Sequence, residues 1–338
     1  MHAFERVSTG AAVAAMLCCG CAPDSSRGEV VGEAAGAEIV PNGLNFNGLN
    51  FNGVHLAPLP LAGLRLGGHA NPNAHVISSV LAGGPGSSSM LVGAELPGTL
   101  SNGASLTLRI DAVTTPASQP DLPLFTVSYQ LTGSVERRPL CGLAADGTPV
   151  QAIPLSGSWD ESAGTPTGGA HLDDPMSITF ACRGYALAKC VEFGYAPWRS
   201  VTECRAPGDC HQLSLAPFHQ ACTRMLRADY CGDGTSTTRD GTLIDVWDEP
   251  GLQTDDAATW AFEGEWGEGG ASCVVSTRWP TVTSGGETVS RYIQDHCQSR
   301  WKAPGCGGPG SPFFTTNGFS TPLDARPLLR SRITHPNG

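Results

Sequence analysis

An acidic side chain falls where a helix should be apolar in the stretch CTRMLRADYCGDG, residues 222–234. Helical periodicity predicts a helix over about 217–230, and it places Asp229 in the middle of the apolar face. That face is formed by Phe218, Cys222, Met225 and Leu226. Asp229 would also lie in the last turn, where the helix dipole disfavours a negative charge. A carboxylate in such a position is either specifically compensated or functional.

Two interpretations of Asp229 follow. The favoured one is a structural ion pair, because buried charges are normally paired. Its partner would be a distant arginine or backbone N–H groups, and the arginines considered are Arg183, Arg199 and Arg278. The functional interpretation is a carboxylate with a raised pKa that works with His219 or His296 as the base of an extracellular hydrolase. No sequence motif of a known hydrolase class supports it.

Two further acidic groups could carry chemistry. Two Asp-Gly turns bring four aspartates close in sequence, and carboxylates in acidic turns can bind calcium. These candidate ligands are Asp229, Asp233, Asp240 and Asp245. Their spacing does not match an EF-hand, and Asp-Gly is common in ordinary turns, so no cofactor is expected. Glu263 and Glu265 alternate on one strand face and could form a glycosidase pair, although a solvated polar face is the more common arrangement.

Cysteine chemistry is limited by oxidation. Outside the N-terminal segment the chain has ten cysteines: Cys141, Cys182, Cys190, Cys204, Cys210, Cys222, Cys231, Cys273, Cys297 and Cys306. An even number in a secreted protein predicts disulfides rather than free thiols, which disfavours a Cys–His nucleophile. Cys204 and Cys210 flank the turn RAPGD and are predicted to pair. Cys222 and Cys231 are predicted to pair elsewhere, because nine helical residues rise roughly 13.5 Å.

The elements that position these residues change character along the chain. Residues 67–178 contain short β-branched and aromatic runs between Gly/Pro turns, which predict an all-β sandwich or barrel-like domain. Residues 179–306 mix strands with helices at RGYALAKCVEFG, at about 217–230 and at about 287–301. The predicted fold class is therefore α+β, with the all-β domain followed by a disulfide-rich α+β domain.

The chain ends have a different composition. Residues 1–21 resemble a secretory signal peptide with a lipobox, in which Cys21 would be lipidated; cleavage without lipidation is the alternative. Residues 22–41 suit a flexible tether. Residues 42–66 repeat with a period of five, which predicts an extended arm or a small β-helical stub. Residues 307–338 are Gly- and Pro-rich and are predicted to be irregular.

Net charge and aromatic placement limit the partners. A formal charge of -11 argues against nucleic acid, which needs clustered lysine and arginine. A lipid anchor would make the membrane a partner. All seven tryptophans lie between Trp159 and Trp301, where they could contact a protein or carbohydrate ligand or, more commonly, pack in the core.

Three segments resemble the ADYC domain, a family of secreted or lipid-anchored bacterial proteins best known from myxobacteria. They are RADYCGDG at 227–234, HQAC at 219–222 and TRDGTLIDVWD at 238–248. The resemblance covers roughly 180–306, with Ala228, Asp229, Tyr230 and Cys231 as the name-giving residues. The family implies no activity. We therefore expect an envelope protein, placed in the outer membrane as a lipoprotein or else secreted, with a binding or structural role. The alternative is the hydrolase that uses Asp229.

Overall fold

The computed structural model describes residues 38–39, 54–56, 65–66, 69–70, 91–99, 105–173, 177–206, 209–239, 241–281, 286–306 and 327–334. The predicted lipobox with Cys21, and most of the predicted tether and repeat arm, lie outside the described residues. Asp240 does so as well. In the part of the chain that is described, no helix has the length and apolar character needed to cross a membrane.

The described strands are β1 (Glu38–Ile39), β2 (Val54–Leu56), β3 (Arg65–Leu66), β4 (His69–Ala70), β5 (Glu95–Thr99), β6 (Ser105–Thr114), β7 (Leu124–Leu131), β8 (Arg138–Pro139), β9 (Ala152–Ser156), β10 (Ser158–Trp159), β11 (His171–Leu172), β12 (Ser177–Cys182), β13 (Ser200–Ala206), β14 (Asp209–Ser214), β15 (Leu243–Asp248), β16 (Ala261–Gly267), β17 (Gly270–Val274) and β18 (Leu329–Ile333). The described helices are α1 (Ala186–Glu192), α2 (Ala216–Leu226) and α3 (Val289–Cys297), and a 3-10 turn, Gln298–Arg300, follows α3.

The first sheet closes on itself. Its strand order is β6-β5-β2-β12-β9-β7-β8, and β6 also pairs with β7, so six antiparallel strands form a ring with β8 attached. Alternate residues of β6 are buried, among them Leu106, Leu108 and Ile110, which is the pattern of a strand with one face on a core. This all-β sheet and the mixed helices and strands that follow it match the predicted α+β fold class.

The repeat arm contributes to this sheet. Val54–Leu56 pairs with β5 on one side and with β12 on the other. The five-residue repeat therefore contributes one strand to the first sheet, which forms a small closed barrel.

The second sheet is antiparallel, with the order β1-β15-β18-β16-β17. Helix α2 packs on one face of it and shares a core with Val246, Trp266 and Ile293. Strand β18 corrects the expectation of an irregular tail over 307–338. All five residues of Leu329–Ile333 are buried between β15 and β16. The strand combines apolar residues with buried arginines. The prediction missed it because arginines are usually exposed and because the residues before the strand are rich in glycine and proline.

Four of the five disulfides link segments that are distant in the chain, and the fifth closes a hairpin. All ten cysteines from Cys141 to Cys306 are paired. The pairs are Cys141–Cys182, Cys190–Cys222, Cys204–Cys210, Cys231–Cys297 and Cys273–Cys306. The pairing of Cys204 with Cys210 is the one that the turn between them predicts. Cys222 bonds to Cys190, which links α2 to α1. Cys231 bonds to Cys297, which links the ADYC motif (residues 228–231) to α3.

Candidate functional site

The helix that carries the motif ends earlier than its periodicity predicts. α2 stops at Leu226, and the chain reverses through Ala228, which has a φ of 49°. The N–H of Ala228 donates to Met225 O (2.8 Å) and the N–H of Asp229 donates to Arg224 O (2.9 Å). This is a Schellman ending with alanine where glycine is usual. Asp229 therefore lies beyond the helix, not on its apolar face, and the helix predicted over about 217–230 is too long.

Asp229 is fully buried and compensated. Its carboxylate pairs with Arg224, which is also buried. The backbone N–H of Asp233 donates to Oδ1 (3.1 Å) and that of Gly234 donates to Oδ2 (3.0 Å). Burial raises the pKa of Asp229, while the guanidinium groups of Arg224 and Arg227 oppose that shift.

The partner of Asp229 differs from the expected arginines, Arg183, Arg199 and Arg278. Arg183 instead pairs with Glu192, Arg199 with Asp121, and Arg278 with Glu263. On a continuous helix, Arg224 would lie on the side away from Asp229. Because the chain reverses at Ala228, Asp229 returns across the last turn and meets Arg224.

A loop of the barrel region docks onto this pair. Arg224 donates to the carbonyl oxygen of Gly168, in the loop between β10 and β11. A Cβ atom on Gly168 would lie 2.1 Å from Asp233 O, and one on Gly169 would lie 2.2 Å from Nη1 of Arg224. Only glycine permits so close an approach. The motif therefore packs against the loop of the β10–β11 hairpin, which is a two-stranded sheet of its own.

Tyr230 joins a second buried ion pair. Its hydroxyl donates to Oε1 of Glu263 (2.8 Å), and its ring stacks on Trp266 at a centroid distance of 5.3 Å. Arg278 pairs with both oxygens of Glu263 (2.6 and 2.9 Å) and donates to the carbonyl oxygens at the end of α2, Leu226 O (3.1 Å) and Met225 O (2.7 Å). Both charged side chains are fully buried.

The expectation of a solvated face for Glu263 and Glu265 is wrong. Glu265 is also buried and accepts from Nη2 of Arg330 (2.8 Å) on β18. The arginine partners lie far away in the sequence, so strand alternation could not reveal them. Since each glutamate is held by an arginine inside the sheet region, neither lies in an open cleft as a glycosidase pair must.

The two candidate histidines do not contact Asp229. Nε2 of His219 lies 3.0 Å from the carbonyl oxygen of Leu187, and the side chain is buried beside Trp159. His296 is exposed on α3 and stacks on Tyr292 at 4.2 Å. Among the described residues, no hydrogen bond joins either ring to Asp229.

His219 should make stability depend on pH. Burial lowers its pKa to about 4, whereas an unfolded histidine titrates near 6.5. The unfolded chain therefore binds the proton first, and the stabilisation present above about pH 6.5 is lost as the pH falls towards about 4. Between about pH 7.5 and pH 4.5, we expect His219 to account for about 2–3 kcal/mol of lost unfolding free energy.

Denaturant titrations of the wild type and of His219→Gln at both pH values check this expectation. The variant's amide can still donate to Leu187 O but does not titrate. Its unfolding free energy should therefore fall less on acidification than that of the wild type. An equal fall in both proteins would contradict the assignment.

The calcium candidates are occupied by protein hydrogen bonds or lie apart. Asp233 accepts from the Tyr292 hydroxyl (2.6 Å), and Asp245 on β15 accepts from the N–H of Ala257 (3.0 Å). Burial raises the pKa of Asp245 to about 6. Asp240 lies outside the described residues. Within the described part of the chain, no cluster of histidine, cysteine or acidic side chains could hold a metal ion.

Two clefts share Trp198 in their linings. The smaller one, about 210 Å³, is lined by Trp159, Trp198 and the histidines His171 and His219. The larger one, about 350 Å³, is lined mainly by apolar side chains. These are Leu122, Val191, Phe193, Trp198 and Leu252, with Asp121 and Arg199 among the polar residues. Sequence reasoning missed both clefts, because their residues come from distant segments.

These features define a class of protein: a small closed barrel followed by a helix-covered antiparallel sheet, with a buried motif and with disulfides inside each part. A family model, the ADYC domain, matches residues 88–280. The match covers more than half of the chain, which therefore belongs to the ADYC domain family. It starts before the expected boundary at 180, so it includes most of the barrel, and it ends before 306. No curated protein and no solved structure matches the chain.

Proposed function

We propose that this chain is a lipid-anchored cell-envelope protein whose ADYC domain is a non-catalytic binding module. The observation that carries the proposal is the state of the motif itself. Both oxygens of Asp229 are used by Arg224 and by backbone N–H groups, and Cys231 is bonded to Cys297. A residue in that state supports the fold, which leaves the clefts beside Trp198 as the surfaces for a ligand.

The compartment is inferred from the cysteines. Disulfides form and persist outside the cytosol, and all ten cysteines from Cys141 onward are paired. The resemblance of residues 1–21 to a signal peptide with a lipobox supports an anchor at Cys21 in the cell envelope, with the outer membrane as the proposed site. Release as a secreted protein without an acyl group is the alternative.

The competing proposal is an extracellular hydrolase that uses Asp229 with His219 or His296. It would require Asp229 to leave a buried pair with Arg224 and to meet a histidine that it does not contact. No specific observation favours that rearrangement, so the binding role is preferred.

Acyl labelling tests the anchor. We expect the wild type to incorporate a labelled fatty acid and to remain with the membrane fraction, because acyl chains supply the affinity that holds a lipoprotein at a bilayer. Cys21→Ser should lose the label and move to the soluble fraction. The measurement is intact mass together with membrane fractionation.

Cys19→Ser is the matched control, because it changes a cysteine of the same run without removing the proposed acceptor. It should keep both the label and the membrane location. Wild-type protein that carries no acyl group and appears only in the medium would overturn the anchor.

A further inference from the structure

The smaller cleft combines aromatic surface with hydrogen-bond acceptors. The rings of Trp159 and His171 lie 4.7 Å apart, and those of Trp159 and His219 lie 5.8 Å apart. Trp198, which is half-buried, lies on the boundary with the larger cleft. A ligand in this cleft would therefore meet mainly the half-buried indole of Trp198 and the exposed ring of His171, with a small contact to Trp159 and His219, which are 4% and 2% exposed.

The bonds of the two histidines fix what they offer to a ligand. Nε2 of His219 faces the carbonyl oxygen of Leu187, and Nε2 of His171 faces that of Ser156 (2.8 Å). A carbonyl can only accept, so each Nε2 is the donor and each neutral ring keeps Nδ1 as an acceptor. Because burial keeps His219 uncharged at neutral pH, its Nδ1 stays an acceptor there.

The floor of the cleft is held rigid. The indole N–H of Trp159 donates to Oε1 of Gln220 (3.0 Å), and Nε2 of Gln220 donates to the carbonyl oxygen of Gly169 (2.8 Å). These bonds link the cleft to the loop that docks on the motif. A preformed site of this kind binds without ordering its own side chains, which favours affinity.

The acceptors select among ligand classes. No lysine or arginine lines the smaller cleft and the acidic residue Glu268 does, so the cleft does not suit an anion. A quaternary ammonium ion fits an aromatic cage, but it has no O–H or N–H and would leave the acceptors unpaired. A pyranose ring has apolar C–H faces for the indoles and hydroxyl donors at its edge, so it satisfies both features.

The size of the smaller cleft, and the Trp198 side chain that it shares with the larger cleft, indicate a ligand with more than one sugar ring. Pockets for drug-sized ligands begin at roughly 300 Å³, so a cleft of about 210 Å³ suits a ligand of about one ring. Trp198 also lines the larger cleft, so a chain of rings could pass over its indole into that second space. The apolar side chains there would contact further C–H faces.

We propose that the two clefts beside Trp198 form one binding site for a neutral oligosaccharide. One ring occupies the Trp159–His219 cleft, donates hydroxyl hydrogens to Nδ1 of His219 and His171, and is followed by a second ring across Trp198. The proposal rests on the binding role proposed above and specifies its ligand class.

Titration of the full mature chain, in a detergent without a sugar headgroup, tests the site. The probes are N-acetylglucosamine, cellulose-derived and amylose-derived oligomers of one to four sugar units, followed by calorimetry and tryptophan fluorescence. We expect at least one series to bind saturably and to bind at least about tenfold more tightly at three units than at one. Trp198→Ala should weaken that binding at least about tenfold.

Two variants make the result specific. His219→Gln keeps the bond to Leu187 but replaces the ring and its Nδ1 with an amide oxygen in a different position, so it should also weaken binding. Trp260→Ala removes a half-buried indole that lines neither cleft, so it should bind as the wild type does. If Trp198→Ala unfolds at a lower denaturant concentration than the wild type, Trp198→Phe replaces it, and an intermediate loss of affinity is expected.

Three outcomes would overturn the oligosaccharide site: no binding by any series to folded, disulfide-bonded protein, equal weakening by the Trp198 and Trp260 variants, or saturable binding of choline without any saccharide. The titration does not depend on acylation. A failure of the anchor and a failure of the sugar site are therefore separate results.

Discussion

Asp229→Ala is expected to lower the free energy of unfolding by about 3–5 kcal/mol, because removing one partner of a buried ion pair leaves the other charge without compensation. Arg224 would remain 2% exposed, still bonded to Gly168 O and Glu268 O but without its carboxylate. The N–H groups of Asp233 and Gly234 would lose their acceptor as well. Denaturant unfolding without reductant, followed by tryptophan fluorescence, gives the difference.

The double variant Arg224→Met with Asp229→Leu is the matched comparison. Apolar replacement of both partners removes the uncompensated charge, so the double variant should be more stable than Asp229→Ala alone. Recovery should be partial, because Arg224 also bonds the loop between β10 and β11.

Asp229→Asn separates the structural from the catalytic interpretation. If Asp229 is structural, removing its charge lowers the free energy of unfolding, because Arg224 stays buried without a counter-charge. If Asp229 is catalytic, its presence commonly lowers the stability of the wild type, so removing the charge should leave the free energy of unfolding unchanged or raise it. An Asp229→Asn protein as stable as the wild type, or more stable, would contradict the structural assignment and favour the hydrolase.

Much of the barrel could be predicted from local pattern. Strands β6, β7 and β12 alternate or concentrate β-branched and aromatic residues, and such periodicity needs only neighbouring residues. Helix α1 and the left-handed Gly194 after it, with a φ of 98°, follow the same local rules. The Cys204–Cys210 disulfide could be predicted because a short turn brings its two ends together.

The site could not be predicted because its partners are distant or break local rules. A glycine at the end of α2 would have marked the stop, but alanine occupies the left-handed position. Glu263 appears solvent-facing until Arg278 and Ser331 are placed beside it. The arginines of β18 make its sequence typical of a surface strand, because their acidic partners, Glu265 and Asp255, are distant in the chain. Burial of a charge depends on a partner whose position only the folded chain sets.

The pair of Glu263 and Arg278 carries the other large expected effect. Glu263→Ala should cost about 3–5 kcal/mol of unfolding free energy, since Arg278 would stay buried without its counter-charge. The hydroxyl groups of Tyr230 and Ser331 would also lose an acceptor (2.8 and 2.6 Å in the wild type). Each buried polar group left unpaired adds to the loss. The measurement is denaturant unfolding with the disulfides intact.

Asp295→Ala is the matched control, because it breaks a carboxylate–arginine pair on the surface of α3. Asp295 accepts from Arg291 one turn away, and both side chains are largely exposed. Such pairs contribute only about 0.3–0.5 kcal/mol, so this variant should unfold close to the wild type. Both variants remove a carboxylate that accepts from an arginine, so the contrast measures the combined effect of burial and of the hydroxyl donors that only Glu263 has. Equal small losses in the two variants would mean that Tyr230 does not depend on the buried ion pair, and that its stacking on Trp266 and its backbone hydrogen bonds, such as that from the N–H of Ala271, are sufficient to hold it.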